Sequence, residues 1–118
     1  MPRNDRRFAR LMFRGAAIYG VLVLVPMYAL AAPTDRPEVY YGFIGCALVF
    51  QWLFWIIGGD PVRHRPLMLV AAAEKVVFSL PALALIFVAR TAPVVAPFAI
   101  IDLLLAVGFL VARSRTSA

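Results

Sequence analysis

Four long apolar stretches fill this chain, and the arginines between them fall almost wholly on one side. A helix rises about 1.5 Å per residue and the bilayer's hydrocarbon core is about 30 Å thick, so roughly 20 apolar residues cross it. Four segments approach or exceed that length: about 15–32, 39–57, 66–89 and 92–112. With 64% of its 118 residues hydrophobic, the chain has too few polar side chains to cover a soluble domain. In lipid, every backbone N–H and C=O must find a partner within the protein, which leaves helices or closed barrels. Barrel strands alternate in polarity. Runs such as Val21–Val25 and Leu103–Val111 are apolar on every face instead. The expectation is an all-α membrane protein: a four-helix transmembrane bundle forming one domain over residues 1–118. Its short connections make consecutive helices antiparallel neighbours.

Charge orients the bundle. Arg3, Arg6, Arg7, Arg10, Arg14, Arg63, Arg65, Arg113 and Arg115 share one face, whereas only Arg36 and Arg90 lie on the other. The positive-inside rule then places both termini and the second connection in the cytoplasm, in a bacterial cytoplasmic (inner) membrane. The first 32 residues also resemble a secretory signal, with Ala29-Leu30-Ala31 as a cleavage site, and cleavage would leave three spans. The apolar run continues past the usual signal length, so retention of the first helix is the favoured reading.

A net charge of +6 on a soluble chain would invite nucleic acid. Here the charge sits at membrane edges, so anionic lipid headgroups are the expected partner and nucleic acid is not. Arg3, Arg7, Arg10 and Arg14 recur at helical spacing, with Phe8, Leu11 and Met12 on another face. That pattern reads as a basic lead-in at the interface before the first span. Setting topology is the main expected role of these arginines.

Little conventional chemistry is on offer. One cysteine, Cys46, forms no disulfide within the chain and reads as a small packing residue. Quinone-linked thiol oxidoreductases, which need paired cysteines, are excluded. One histidine, His64, cannot build a haem, zinc or copper site, and no cofactor is expected. Ser79, the only serine within a span, has no histidine at its depth. No enzymatic set emerges.

The informative residues are the polar ones inside the spans: Tyr19, Gln51, Glu74, Lys75 and Asp102. By helix rise, all lie roughly 9–15 Å in from the cytoplasmic ends, one polar layer to which all four helices contribute. Ionisable groups at such depth are costly and face the bundle interior, another charge or water. Glu74 and Lys75 sit about 100° apart on their helix and do not face each other. Side chains tilt toward the helix N-terminus, so Lys75 aims at the cytoplasm and Asp102 away from it. Direction therefore disfavours a Lys75–Asp102 bridge and leaves Glu74 with Gln51, Tyr19 or a cytoplasmic arginine at least as well matched. The plain reading of the layer is inter-helix adhesion. The functional one is a proton or cation relay.

Between the second and third spans, Gly59 and Asp60 suit a helix end and turn, and Pro66 suits a first helical turn. Arg63, His64 and Arg65 are expected to face lipid headgroups or an acidic partner. Trp52, Phe54 and Trp55 mark the cytoplasmic interface, and Tyr28, Tyr40 and Tyr41 the outer one. Pro26 and Pro81 interrupt spans and should kink them. Ala16 with Gly20, and Gly42 with Cys46, are small pairs that permit close helix contact.

The run Asp60-Pro61-Val62-Arg63-His64-Arg65-Pro66-Leu67-Met68, followed by Glu74-Lys75, resembles a pattern in small uncharacterised bacterial four-helix membrane proteins. The resemblance covers mainly residues 50–80. It implies a fold and leaves the function open. Small multidrug exporters are similar in length but carry an essential first-helix glutamate, and this first span has no carboxylate. The functional expectation is thus a non-enzymatic structural, accessory or oligomerising component, as a homo-oligomer or a subunit of a larger membrane complex. The alternative is a small proton-coupled transporter or channel using Glu74, Lys75 and Asp102.

Overall fold

The computed structural model describes residues 2–30 and 35–116. Four helices hold nearly all of them: α1 (Arg3–Ala29), α2 (Pro37–Gly59), α3 (Arg65–Phe87) and α4 (Val95–Arg115). Among the described residues there is no strand. Each helix is long and apolar enough to span a bilayer, so the expected four-span helical fold is present. Residues 31 and 32 of the expected first span, and the Ala31 end of the candidate cleavage site, lie outside the described residues.

The helix boundaries follow local chemistry. Proline occupies the first turns of α2 and α3, where a missing N–H costs nothing. Helix α3 stops at Phe87 rather than 89. There Ala89 turns left-handed, with φ 59°. Its N–H donates to the Ile86 carbonyl at 3.0 Å and that of Arg90 to Leu85 at 2.8 Å. These two bonds form a Schellman closure. Helix α4 starts at Val95 rather than 92, because Pro93 biases Ala92 away from helical geometry. The amides of Val95 and Ala96 bond back to the Ala92 and Pro93 carbonyls, making a separate turn first.

The N-terminal lead-in differs from its expectation. It is no separate interfacial element but the first turns of an unbroken 27-residue α1. Ala9 and Phe13 bury fully in the core, with Phe8 and Met12 packed against it. An aspartate and an aromatic ring fasten this end to α4. Arg115 Nε bonds Asp5 Oδ1 at 2.9 Å, and its guanidinium covers the Phe8 ring at 4.5 Å.

Helix α1 packs chiefly on α2 and α3 on α4, giving two hairpins. The α1–α4 contact joins them, whereas α2 and α3 touch least although they are consecutive. The ring of four is thus closed on one side and parted along an α2–α3 seam.

The two ends of the bundle pack differently. At the termini end, three fully buried rings from three helices meet: Phe13 stacks on Phe109 with centroids 4.2 Å apart, and Phe54 lies 5.1 Å from Phe109. Ala16, Ala17, Ala71, Ala72 and Ala112 surround them, and their small size lets the helices close on the rings. This end is solid. The far end is tied by tyrosines: Tyr40 Oη donates to the Met27 carbonyl at 3.0 Å and Tyr41 Oη to the Leu30 carbonyl at 2.8 Å. These acceptors lie at the C-terminus of α1, where helix carbonyls lack intrahelical donors. Trp52 and Trp55 stand exposed at the termini end, as an interfacial belt requires, whereas Phe54, expected beside them, is fully buried among the rings.

Candidate functional site

Between the solid end and the tyrosine end the bundle is hollow. A cavity of about 390 Å³ is lined from all four helices, and Tyr19, Gln51, Glu74, Lys75 and Asp102 all face it. The five residues singled out by depth therefore converge on one space. Its walls are apolar, with Val23, Leu24, Met27, Phe43, Phe78 and Phe98 among them. Val94, at the rim of the far end, is 69% exposed.

Lys75 organises the floor. It is 3% exposed, and its ammonium donates to Asp102 Oδ1 at 3.5 Å and lies 3.8 Å from Glu74 Oε2. It also sits 5.2 Å from the centroid of the Phe54 ring, which roofs the aromatic plug. The direction argument from sequence is corrected here on both counts. Lys75 bridges to Asp102 across the α3–α4 interface, and it pairs with its neighbour Glu74. The four-carbon stem of lysine spans the angular offset that Cα–Cβ vectors alone forbid.

Gln51 is 2% exposed, and its Nε2 donates to the Ala47 carbonyl one turn back on α2 at 2.8 Å. That leaves Oε1 without a donor. Tyr19 Oη and Glu74 Oε2 likewise lack a hydrogen-bond partner. Neither Gln51 nor Tyr19 partners Glu74. Three polar atoms without a partner therefore stand around one cavity. Gly20 belongs to this arrangement: a Cβ there would strike the Gln51 side chain.

A wider groove of about 590 Å³ follows the α2–α3 seam on the outside. Phe43, Ala47, Glu74, Phe78 and Val95 line both spaces. The Phe43 and Phe78 rings, 5.9 Å apart, meet across the seam and help partition cavity from groove. Glu74 thus borders the interior and the outer face together.

The remaining expected residues lie apart from this cavity. Arg3, Arg7, Arg10 and Arg63 are exposed at the termini end. Arg14 is half-buried, with its guanidinium 4.3 Å from the Trp55 ring centroid and its stem crossing Gly58, where a Cβ would collide with it. His64 stands at the N-cap position of α3 without a side-chain capping bond and is half-buried. Arg65 is turned inward: its Nε donates to the carbonyls of Arg113 and Thr116, at 3.2 and 2.8 Å, closing the C-terminus of α4. Cys46 is exposed on the seam groove, so it is not the packing residue expected. Gly42 also faces open space. Ala16 and Gly20 do lie in the interior.

Sequence reasoning missed Phe43, Phe78 and Phe98, because an aromatic residue in an apolar helix carries no sign of which face it occupies. Ser79, set aside as a nucleophile for want of a histidine, is fully buried with an unpartnered Oγ. Among the described residues, no group of three His, Cys, Asp or Glu could hold a metal.

Fold and site together define a four-helix, membrane-spanning type of protein with one solid half and one hollow half floored by charge. No protein-family model matches the chain, and no curated protein or solved structure shows significant similarity to it.

Proposed function

We propose that this chain is a small ion-coupled transporter or channel of the bacterial cytoplasmic membrane, not an enzyme, with both termini in the cytoplasm. One observation carries the reading: the Glu74 and Asp102 carboxylates, 16% and 17% exposed, flank the buried Lys75 on the floor of a cavity instead of being packed over. Their net formal charge is −1. An unbalanced charge at membrane depth is costly, so the floor favours taking up one proton or one cation. Pure adhesion would need no cavity.

The test is proton flux in vesicles reconstituted with the purified protein. Wild type should dissipate a pH gradient, and Glu74→Gln and Asp102→Asn should each abolish this while eluting as folded protein. Equal flux in all three would remove the reading.

A structural, accessory or oligomerising role, alone or in a larger complex, is the second reading. It draws support from the parted α2–α3 seam, where a neighbouring helix would find an apolar groove. Contact of the exposed arginines with anionic headgroups fits either reading.

A further inference from the structure

We infer that the cavity binds an amphipathic organic cation: a protonated amine on an apolar, ring-bearing body. The inference rests on the reading of the cavity as a site of exchange, and it assigns the class of molecule exchanged.

The floor selects the head. Lys75 already lies between two carboxylates, at 3.5 and 3.8 Å, so an incoming anion finds the only ammonium engaged. Two carboxylates against one ammonium leave an excess negative charge for an incoming cation. The open atoms agree: Gln51 Oε1 and Glu74 Oε2 are acceptors, and Tyr19 Oη accepts as well as donates. A primary ammonium brings three donors and no acceptor, the complement of that set. Gln51 is almost fully buried, and with its Nε2 held by Ala47 it presents only its oxygen.

The walls select the body. Above the floor the lining is aliphatic and aromatic, and its volume of about 390 Å³ lies in the range of small-molecule sites. A bare inorganic cation would leave this apolar space unfilled. Phe43, Phe78 and Phe98 offer ring faces to a ring, and to the methylenes beside a positive charge.

The walls also suggest a route. Phe43 and Phe78 divide the cavity from the seam groove, which faces the surrounding lipid, and Glu74 borders both. A molecule dissolved in the bilayer that slides along this groove meets Glu74 by passing one pair of rings. The excess charge on the floor accepts either this amine or a proton, so the two compete for one place.

The probes are three compounds with one body and three heads: 4-phenylbutylamine, 4-phenylbutanol and 4-phenylbutyrate. Binding is measured by calorimetry on detergent-solubilised protein against protein-free micelles, at a pH where the amine is protonated and the acid ionised. The amine should bind at least about tenfold more tightly than the alcohol, with no measurable binding of the carboxylate. Glu74→Gln should weaken the amine by about tenfold or more and leave the alcohol unchanged. Val23→Trp, which narrows the cavity without touching charge, should weaken both. Carboxylate binding equal to amine binding would overturn the proposal, as would indifference to head group. No binding above empty micelles would overturn it too. Proton flux without amine selectivity would sink this inference and spare the transport reading. Amine binding without flux would do the reverse and leave a binding protein.

Discussion

The ammonium of Lys75 and the carboxylate of Asp102 meet at 3.5 Å across the α3–α4 interface, with side chains 4% and 17% exposed. The contact joins two helices that already pack closely, and it sits where the solid half of the bundle gives way to the hollow half. A bond in this position has both a structural and an electrostatic consequence.

The structural consequence is coupling. Lys75→Met leaves Asp102 and Glu74 without their shared cation. Asp102→Asn leaves Lys75 with Glu74 alone. In a double-mutant cycle read by unfolding in mixed micelles, the two changes should be coupled by about 1–3 kcal/mol. Lys75→Met should be the more damaging single change, because it strands two carboxylates whereas Asp102→Asn strands none. Additive effects would show that the bridge does not form in the folded protein.

Glycines should divide by what lies over them. Gly20→Ala drives a methyl into Gln51, which is held to Ala47 by its amide, and should destabilise by about 1–3 kcal/mol. Gly42→Ala meets nothing within 4 Å and should be neutral or stabilise by a few tenths of a kcal/mol through helix propensity alone. Thermal unfolding in detergent would compare them. A tolerated Gly20→Ala would mean that α1 and α2 are further apart at this level.

The left-handed Ala89 invites the opposite change. A residue with a Cβ is disfavoured in that region by about 1–2 kcal/mol, and glycine gives back part of the gain through its larger unfolded-state entropy. Ala89→Gly should therefore stabilise by several tenths to about 1 kcal/mol, raising the thermal midpoint. A drop in the midpoint would place the end of α3 elsewhere.

Orientation follows from arginine placement alone. Reporter fusions at Ala118 should read as cytoplasmic, and fusions in the 88–94 connection as periplasmic. Periplasmic activity at Ala118 would reverse the bundle or require loss of the first helix.

How far the sequence carries depends on which signal the membrane leaves visible. Spans are legible because hydropathy and length suffice. Their ends are less so: α1 begins at Arg3 and α4 runs on to Arg115, while α3 stops and α4 starts where Ala89 and Pro93 intervene. The polar layer is legible because Tyr19, Gln51, Glu74, Lys75 and Asp102 stand out against apolar surroundings and helix rise gives their depths. Pairing within it was misjudged for Lys75, whose reach exceeds what backbone direction implies. Facing is not legible at all for apolar residues. In water, the polar side of a helix reveals its buried side. In lipid both sides are apolar, so nothing in the sequence separates Phe13, Phe54 and Phe109, which plug the bundle, from Phe87, which is 91% exposed. The same blindness misplaced Cys46 and Gly42. It also hid the Phe43–Phe78 contact that partitions the cavity from the seam.

One half of the bundle is hollow and opens past Val94 at the end opposite the termini, while the other is sealed. Single cysteines in a Cys46→Ser background test it by reaction with a charged, membrane-impermeant maleimide added to one side of sealed vesicles at a time. Val23→Cys and Phe98→Cys, on the cavity wall, should label from the side opposite the termini. Ala16→Cys and Ala72→Cys, around the aromatic plug, should stay unlabelled from both sides. Exclusion of the reagent from all four positions, or labelling of the plug positions from the termini side, would contradict a hollow half closed off by Phe13, Phe54 and Phe109.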